Sequence, residues 1–217
     1  MADKVQEYRG ERITVRFDGG KCIHSRNCVL GNPAVFVPNA EGPWIKPDNA
    51  SSEAVAAIAR SCPSGAITFE RRDGGDGESP PPVNVVRVWE NGPLAFHADL
   101  AIAGQEHRFR ATLCRCGASN SKPFCDGSHK TVAFAATGEP ATQESSALAV
   151  CNGPLAVKPL VNGPLMVKGA LEIVSGTGRT VTRGTEAFFC RCGASSKKPF
   201  CDGTHKRIGF TAKGGGR

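Results

Sequence analysis

Aromatic rings and long apolar runs are both scarce in this 217-residue chain. Phe, Trp and Tyr make up 6% of it, with one Tyr and two Trp. That is too few for the stacking platforms on which single-stranded nucleic acids lie. The net charge is +7 and the isoelectric point about 9.0, yet no basic helix or basic–aromatic block gathers that charge. Nucleic acid is therefore not expected as a partner. No segment approaches the roughly 20 apolar residues of a membrane span, so no membrane partner is expected either. The opening MADKVQEYRGERITVRF is polar and charged, unlike a secretory leader. The ten cysteines are thus expected as reduced thiols in a cytoplasmic setting rather than as disulfides. No G-x-G-x-x-G follows a strand pattern, and no Walker or G-x-S-x-G motif is present, so the chain is not expected to be an enzyme. With 26 Gly and 15 Pro, turns are frequent and long helices few. Small modules stapled by metal fit this composition better than one large apolar core.

What the chain does have is one short pattern written twice. Residues 114–129 read CRCGASNSKPFCDGSH and residues 190–205 read CRCGASSKKPFCDGTH, identical at thirteen of sixteen positions. Each copy gathers three cysteines and one histidine: Cys114, Cys116, Cys125 and His129, then Cys190, Cys192, Cys201 and His205. Three thiolates and an imidazole form a full ligand set for a soft metal centre. A zinc ribbon uses the same donors, but it pairs C-x2-C knuckles. The close sulfurs of C-x-C suit one iron of a rhombic cluster. Spacing alone leaves zinc open.

The repetition extends upstream. VRVWENGPLAFHADLAI (86–102) aligns with VKPLVNGPLMVKGALEI (157–173) at an offset of 71, whereas Cys114 and Cys190 are offset by 76, so the second copy carries five extra residues near GTGRT. This is an internal duplication. Leu94, Phe96, Ala98, Leu100 and Ile102, like Leu165, Val167, Gly169, Leu171 and Ile173, alternate with period two and predict strands. Asn-Gly-Pro reads as a turn. The D-G-S/T-H segment reads as one helical turn, with the Lys-Pro ahead of it as its start. RRDGGDGESPPP (71–82) reads as a linker, Gly138–Ser146 as a weaker boundary, and the terminal KGGGR as disordered. The expected division is 1–71, a linker over 72–82, a first repeat over 83–139 and a second over 140–217.

Upstream of the linker stand CIHSRNC (22–28) and CPSGAI (62–67). Bacterial ferredoxins use C-x2-C-x2-C with a remote C-P. Cys22, Cys28 and Cys62-Pro63 fit that frame, but Ser25 holds the middle position. Three thiolates suit a [3Fe–4S] cluster; a [4Fe–4S] cluster needs a fourth ligand from Ser25, His24 or solvent. Cys151 belongs to no motif and reads as a small buried residue. His97 and His107 read as exposed strand residues, and Trp44 and Trp89 as packing.

The doubled pattern resembles the CDGSH iron–sulfur family, the mitoNEET-like proteins. Cys114, Cys116, Ser119, Pro123, Cys125, Asp126, Gly127, Ser128 and His129 match it, as do Cys190, Cys192, Ser195, Pro199, Cys201, Asp202, Gly203, Thr204 and His205. The resemblance covers roughly 84–213. It implies one [2Fe–2S] cluster per motif, with a Cys pair on one iron and Cys plus His on the other, in a β-rich body where two motifs look like a dimer fused into one chain. Residues 12–72 resemble the divergent single-cluster ferredoxins. That implies a ferredoxin-like module: strand 13–17, cluster loop, short helix, strand 44–46, helix 52–60 capped by Ser51 or Ser52, and strand 66–70. The expected class is α+β, a ferredoxin-like module plus a pseudo-dimeric β-rich pair.

The expected role is electron transfer through two [2Fe–2S] clusters and one [3Fe–4S] or [4Fe–4S] cluster, with a reductase, flavoprotein or oxygenase as redox partner and a monomeric chain. Cluster storage or transfer, or redox and pH sensing, is the alternative, and a zinc-stapled binding module stands behind both. Imidazole in place of thiolate removes a negative charge and raises the potential. It binds iron only when unprotonated, so acid competes with metal at His129 and His205. Asp126 and Asp202 are expected as caps, Ser119 and Ser195 either as donors to cluster sulfur or as turn closers, and Lys122 and Lys198 as surface charge.

Overall fold

The computed structural model describes residues 5–215. It divides into two compact units between Ser79 and Pro80, and strands outweigh helices in an α+β composition. Among the described residues no helix is long and apolar enough to cross a membrane.

The first unit is a three-stranded antiparallel sheet, β1 (Gln6–Arg9), β2 (Ile13–Phe17) and β3 (Ile67–Arg71), in the order β1-β2-β3. Between β2 and β3 run helices α1 (Asn27–Gly31) and α2 (Ser52–Arg60). Helix α2 begins where expected because Ser51 Oγ accepts a hydrogen bond from Ala54 N, filling one of the orphan donors of a helix start. Its Val55, Ala56 and Ala59 face Ile13, Val15, Phe36, Ile67 and Phe69 in a dry core. Trp44 meets Phe17 edge-on at 4.9 Å between ring centroids. The strand expected over 44–46 is reduced to a single bridge between Phe36 and Ile45. Pro43 and Pro47 flank it and have no N–H to extend a ladder. The segment read as linker is anchored at its start: Ser52 Oγ donates to Asp73, Arg71 pairs with Asp73 and Glu53, and Arg60 reaches the carbonyls of Asp76 and Gly77.

In the second unit both repeats enter one six-stranded sheet. The first repeat supplies β4 (Val85–Val88), β5 (Leu94–Ile102) and β6 (Arg108–Leu113); the second supplies β7 (Pro154–Pro159), β8 (Leu165–Val174) and β9 (Thr180–Phe189). Within each repeat the neighbours are antiparallel. Between repeats they are parallel: β4 lies beside β8 and β7 beside β5. Each repeat's leading strand thus pairs with its own long strand and with the other's. The alternating apolar residues face inward as expected, Gly169 excepted as only half-buried, and Phe96 meets Phe189 edge-on at 6.1 Å at the centre. The tail expected to be disordered is partly held: Gly215 N donates to Pro159 O, and Lys213 O accepts from Arg191. Gly216 and Arg217 lie outside the described residues.

Asn84 is the stitch between repeats. It is fully buried; Nδ2 donates to the carbonyls of Gly153 and Ala170, both at 2.9 Å, and Oδ1 accepts from Asp99 N. Asn84→Ala leaves those groups unpaired in the core, at about 1 kcal/mol each. Chemical denaturation is expected to show a loss of about 3 kcal/mol in the second unit's transition and none in the first's.

Candidate metal centres

Strands β6 and β9 each run directly into a ligand loop. The loop folds back on its strand: Cys114 N donates to Pro123 O and Cys125 N to Thr112 O, and in the second copy Cys190 N donates to Pro199 O and Cys201 N to Phe188 O. This hairpin carries the third cysteine back beside the first two. It ends in one helical turn, α3 (Ser128–Thr131) or α4 (Thr204–Arg207), which carries the histidine. Those turns start after Gly127 and Gly203, in left-handed conformation. Pro123 and Pro199 sit earlier, within the loop, each after a cis peptide bond. The expectation that Lys-Pro starts the helix is thereby corrected: the backbone must first turn through cysteine, aspartate and a positive-φ glycine.

The donors fall into two pairs per motif. Cys114 and Cys116 bring their sulfurs to 3.7 Å, and Cys125 Sγ lies 3.3 Å from His129 Nδ1. Cys190 with Cys192, and Cys201 with His205, repeat both distances. Among the described residues no three His, Cys, Asp or Glu side chains converge on a point that could hold a single metal ion.

Burial disfavours the charged forms of Cys114, Cys125 and His129. The contact with Cys116, then burial, raises the Cys114 thiol; the same contact brings Cys116 down to about 6. Burial raises Cys125 to about 11 and lowers His129. Buried thiolates call for a nearby cation, which an iron held by these residues would provide. Backbone N–H groups also point at ligand sulfur, Ala118 N at Cys116 and Gly203 N at Cys201, both at 3.4 Å.

The polar residues of the motif build the loop. Ser119 Oγ donates to Phe124 O at 2.6 Å and accepts from Ser121 N, and Ser195 does the same with Phe200 and Lys197. Both hydroxyls thus close the turn. Asp126 accepts from the backbone N–H of Asn120 and Ser128, and Asp202 from Ser196 and Thr204, joining the loop's start to its helical turn. Lys122 and Lys198, expected as surface charge, instead fold back to the carbonyls of Ser119 and Ser195.

Sequence reasoning missed Arg115 and Arg191, which lie between paired cysteines and are 1% exposed. Arg115 donates to the carbonyls of Trp89, Gly92, Ala136 and Thr137, and Arg191 to those of Leu160, Gly163 and Lys213. Each ties its repeat's Asn-Gly-Pro turn to the segment after the histidine, and each lies over a phenylalanine, Phe134 or Phe210. Their signal was present: a charged residue between two ligands, unchanged in both copies while neighbouring loop positions differ. The two loops also touch each other. Gly117 and Gly193 have φ near +80°, and a Cβ on either would lie 2.5 Å and 2.2 Å from the carbonyls of Cys192 and Cys116 respectively.

In the first unit Cys22, Cys28 and Cys62 line one cavity of about 300 Å³, with His24, Ser25, Ser64, Phe17 and Trp44 also on its wall. The volume is about ten times a water's share of liquid, so it has room for a multi-atom cluster. His24 and Arg26 take left-handed backbone conformations as the chain wraps this cavity. Burial, then the nearby Cys62 and Cys22 thiols, raises Cys28. Cys151 joins no donor group; it is half-buried with its sulfur toward Leu148 O. His97 and His107 are exposed, as expected.

Residues 8–72 match the family described as divergent 4Fe-4S mono-cluster, and residues 87–130 and 162–206 each match the iron-binding zinc finger of CDGSH type. The uncharacterized protein YjdI of Escherichia coli K12 is 40% identical over 65 residues, which is 30% of this chain and 84% of that protein; YjdI of strain O157:H7 matches to the same extent. Given the doubled 3-Cys-1-His sites and the three-cysteine cavity, this chain belongs to the iron–sulfur proteins, with a divergent 4Fe-4S mono-cluster domain followed by two tandem CDGSH iron-binding domains.

Proposed function

We propose that this chain is a multi-centre electron carrier working with a separate redox protein in a reducing, cytoplasmic compartment. The observation that carries the reading is the 2 + 2 arrangement of donors in each CDGSH motif, together with the direct contact of the two ligand loops at Gly117 and Gly193. Cys114, Cys116, Cys125 and His129 would hold one [2Fe–2S] cluster, and Cys190, Cys192, Cys201 and His205 another. Cys22, Cys28 and Cys62 would hold a [3Fe–4S] or [4Fe–4S] cluster in a ferredoxin-like module. Once bound, such clusters supply a one-electron couple set by ligand charge, hydrogen bonds to sulfur and solvent access. The protein's own contribution is to bury Cys114 and Cys190, aim N–H groups at sulfur and close the loops through Ser119, Asp126 and their counterparts. The interleaved leading strands support reading the two repeats as a fused pseudo-dimer, and the chain as a monomer. The partner class is a reductase, flavoprotein or oxygenase that supplies or consumes single electrons.

A second reading, cluster donation or sensing, draws on a different observation. Cys114 and Cys190 are 1% exposed, whereas His129 and His205 are only half-buried. Solvent can therefore reach the histidines. Loss of colour with concurrent maturation of an apo-acceptor would favour that reading; reversible reduction with the colour retained supports the carrier.

Two measurements test the assignment. Protein purified without oxygen is expected to carry iron and sulfide and, compared before and after dithionite reduction, to give EPR signals from the first unit and from the CDGSH pair; a colourless zinc protein overturns the reading. Cys62→Ser should remove the first unit's signal and spare the others. Replacing His129 and His205 by Cys adds negative charge at each centre and should lower both midpoint potentials. Unchanged potentials would remove histidine from the ligand set.

A further inference from the structure

We propose that a cavity beside Cys201, in the second CDGSH motif, is a binding site for a planar cation: the guanidinium group of a small molecule or of another protein's arginine.

The two repeats carry the same strand pair in the same register. In the first, His97 faces Arg110 and Leu100 faces Arg108, with a register shift between. In the second, Lys168 faces Glu186 and Leu171 faces Gly184, with a shift at the same place. Arg108 and Gly184 are therefore equivalent positions, as are Arg110 and Glu186. The Arg108 guanidinium lies over the ring of Phe124, 5.0 Å from its centroid. Phe124 precedes the candidate ligand Cys125, which is buried. In the second repeat Gly184 has no side chain to lay over the matching Phe200. A cavity of about 340 Å³ opens there instead, with Leu171, Gly184, Glu186, Phe200 and Cys201 on its wall. Cys201 is only half-buried, unlike Cys125.

The first repeat thus shows which group fills this place. A guanidinium is attracted to the negative face of an aromatic ring. Phe200 is fixed for that role by stacking on Phe189, with centroids 5.8 Å apart and planes at 17°. The second repeat also trades the cation Arg110 for the carboxylate of Glu186. Glu186 pairs with Lys168 at 3.1 Å, but both side chains are about half exposed. Such a pair contributes little, so Glu186 can turn to a cation in the cavity. Arg183, also on the wall, is committed to Glu172 at 2.8 Å. The volume is about ten times a water's share of liquid, room for a guanidinium and a short stem. A cation seated there lies against Cys201 and, on the iron–sulfur reading above, against the second centre.

The experiment titrates the full-length, cluster-loaded chain with ethylguanidinium and with propylammonium, a cation of similar size without a planar head. Binding is followed by saturation-transfer NMR. Ethylguanidinium should bind about tenfold more tightly than propylammonium. Gly184→Arg restores the side chain of the first repeat and should abolish the binding. A Cβ at Gly184 meets nothing nearer than Glu186 O at 3.8 Å, so the variant has room to fold. Glu186→Gln should weaken binding about threefold. No transfer to ethylguanidinium, equal binding of the two cations, or binding retained in Gly184→Arg overturns the proposal. If Gly184→Arg does not fold, Glu186→Gln decides alone: unchanged affinity overturns it. A short peptide with one central arginine separates the two sources. Tighter binding than ethylguanidinium supports an arginine of another protein, and weaker binding supports a free small molecule. A colourless chain that still binds keeps the cavity's assignment and overturns only the iron–sulfur reading.

Discussion

Burying a guanidinium is costly, and this chain does it twice. Taking such a charge out of water costs several kcal/mol unless hydrogen bonds replace the lost solvent. Here they come from backbone carbonyls of the turns and of the segments after the histidines: four for Arg115 and three for Arg191. Hydrogen bonds to a charged group contribute about 1.5–3 kcal/mol each, enough to offset the burial. The same side chain fixes the Asn-Gly-Pro turn, the segment after the histidine and, through its position between two cysteines, the start of the ligand loop. Three pieces of each repeat are placed by one planar donor.

That constraint makes the rest of the site possible. With the loop's beginning fixed, Ser119 and Asp126 close its middle and bring the third cysteine and the histidine round to face the first pair. The result is a preformed set of donors, held by hydrogen bonds that do not involve the metal. The first unit follows another plan. Its three cysteines come from a short loop and a distant Cys-Pro, and an apolar core of α2 against β2 and β3 brings them to one cavity.

The ligands were legible because metal chemistry restricts donor types and spacing, and the duplication wrote the pattern twice. The long strands were legible because Leu94–Ile102 and Leu165–Ile173 alternate with the period of a pleated sheet. Other features depended on partners remote in sequence. The short apolar run Trp44–Lys46 looks like a strand, but its flanking prolines deny it a ladder. Lys122 looks like surface charge until the loop brings the Ser119 carbonyl to it. The glycine-rich tail looks free until Arg191 and Pro159 hold its first residues. Arg115 was visible as an unchanged charge between ligands, yet what it bonds to could be read only from the folded chain.

The sequence by itself determined the donor sets, the duplication, the α+β class and the division between a three-cysteine module and a doubled CDGSH body. These follow from local periodicity and from residue chemistry at fixed spacing, which need no knowledge of distant contacts. The tertiary structure alone decided that β4 and β7 lace the repeats into one sheet and that Gly117 and Gly193 let the two ligand loops meet. Those are relations between residues 55 to 87 positions apart, and burial and strand pairing, rather than local pattern, select them.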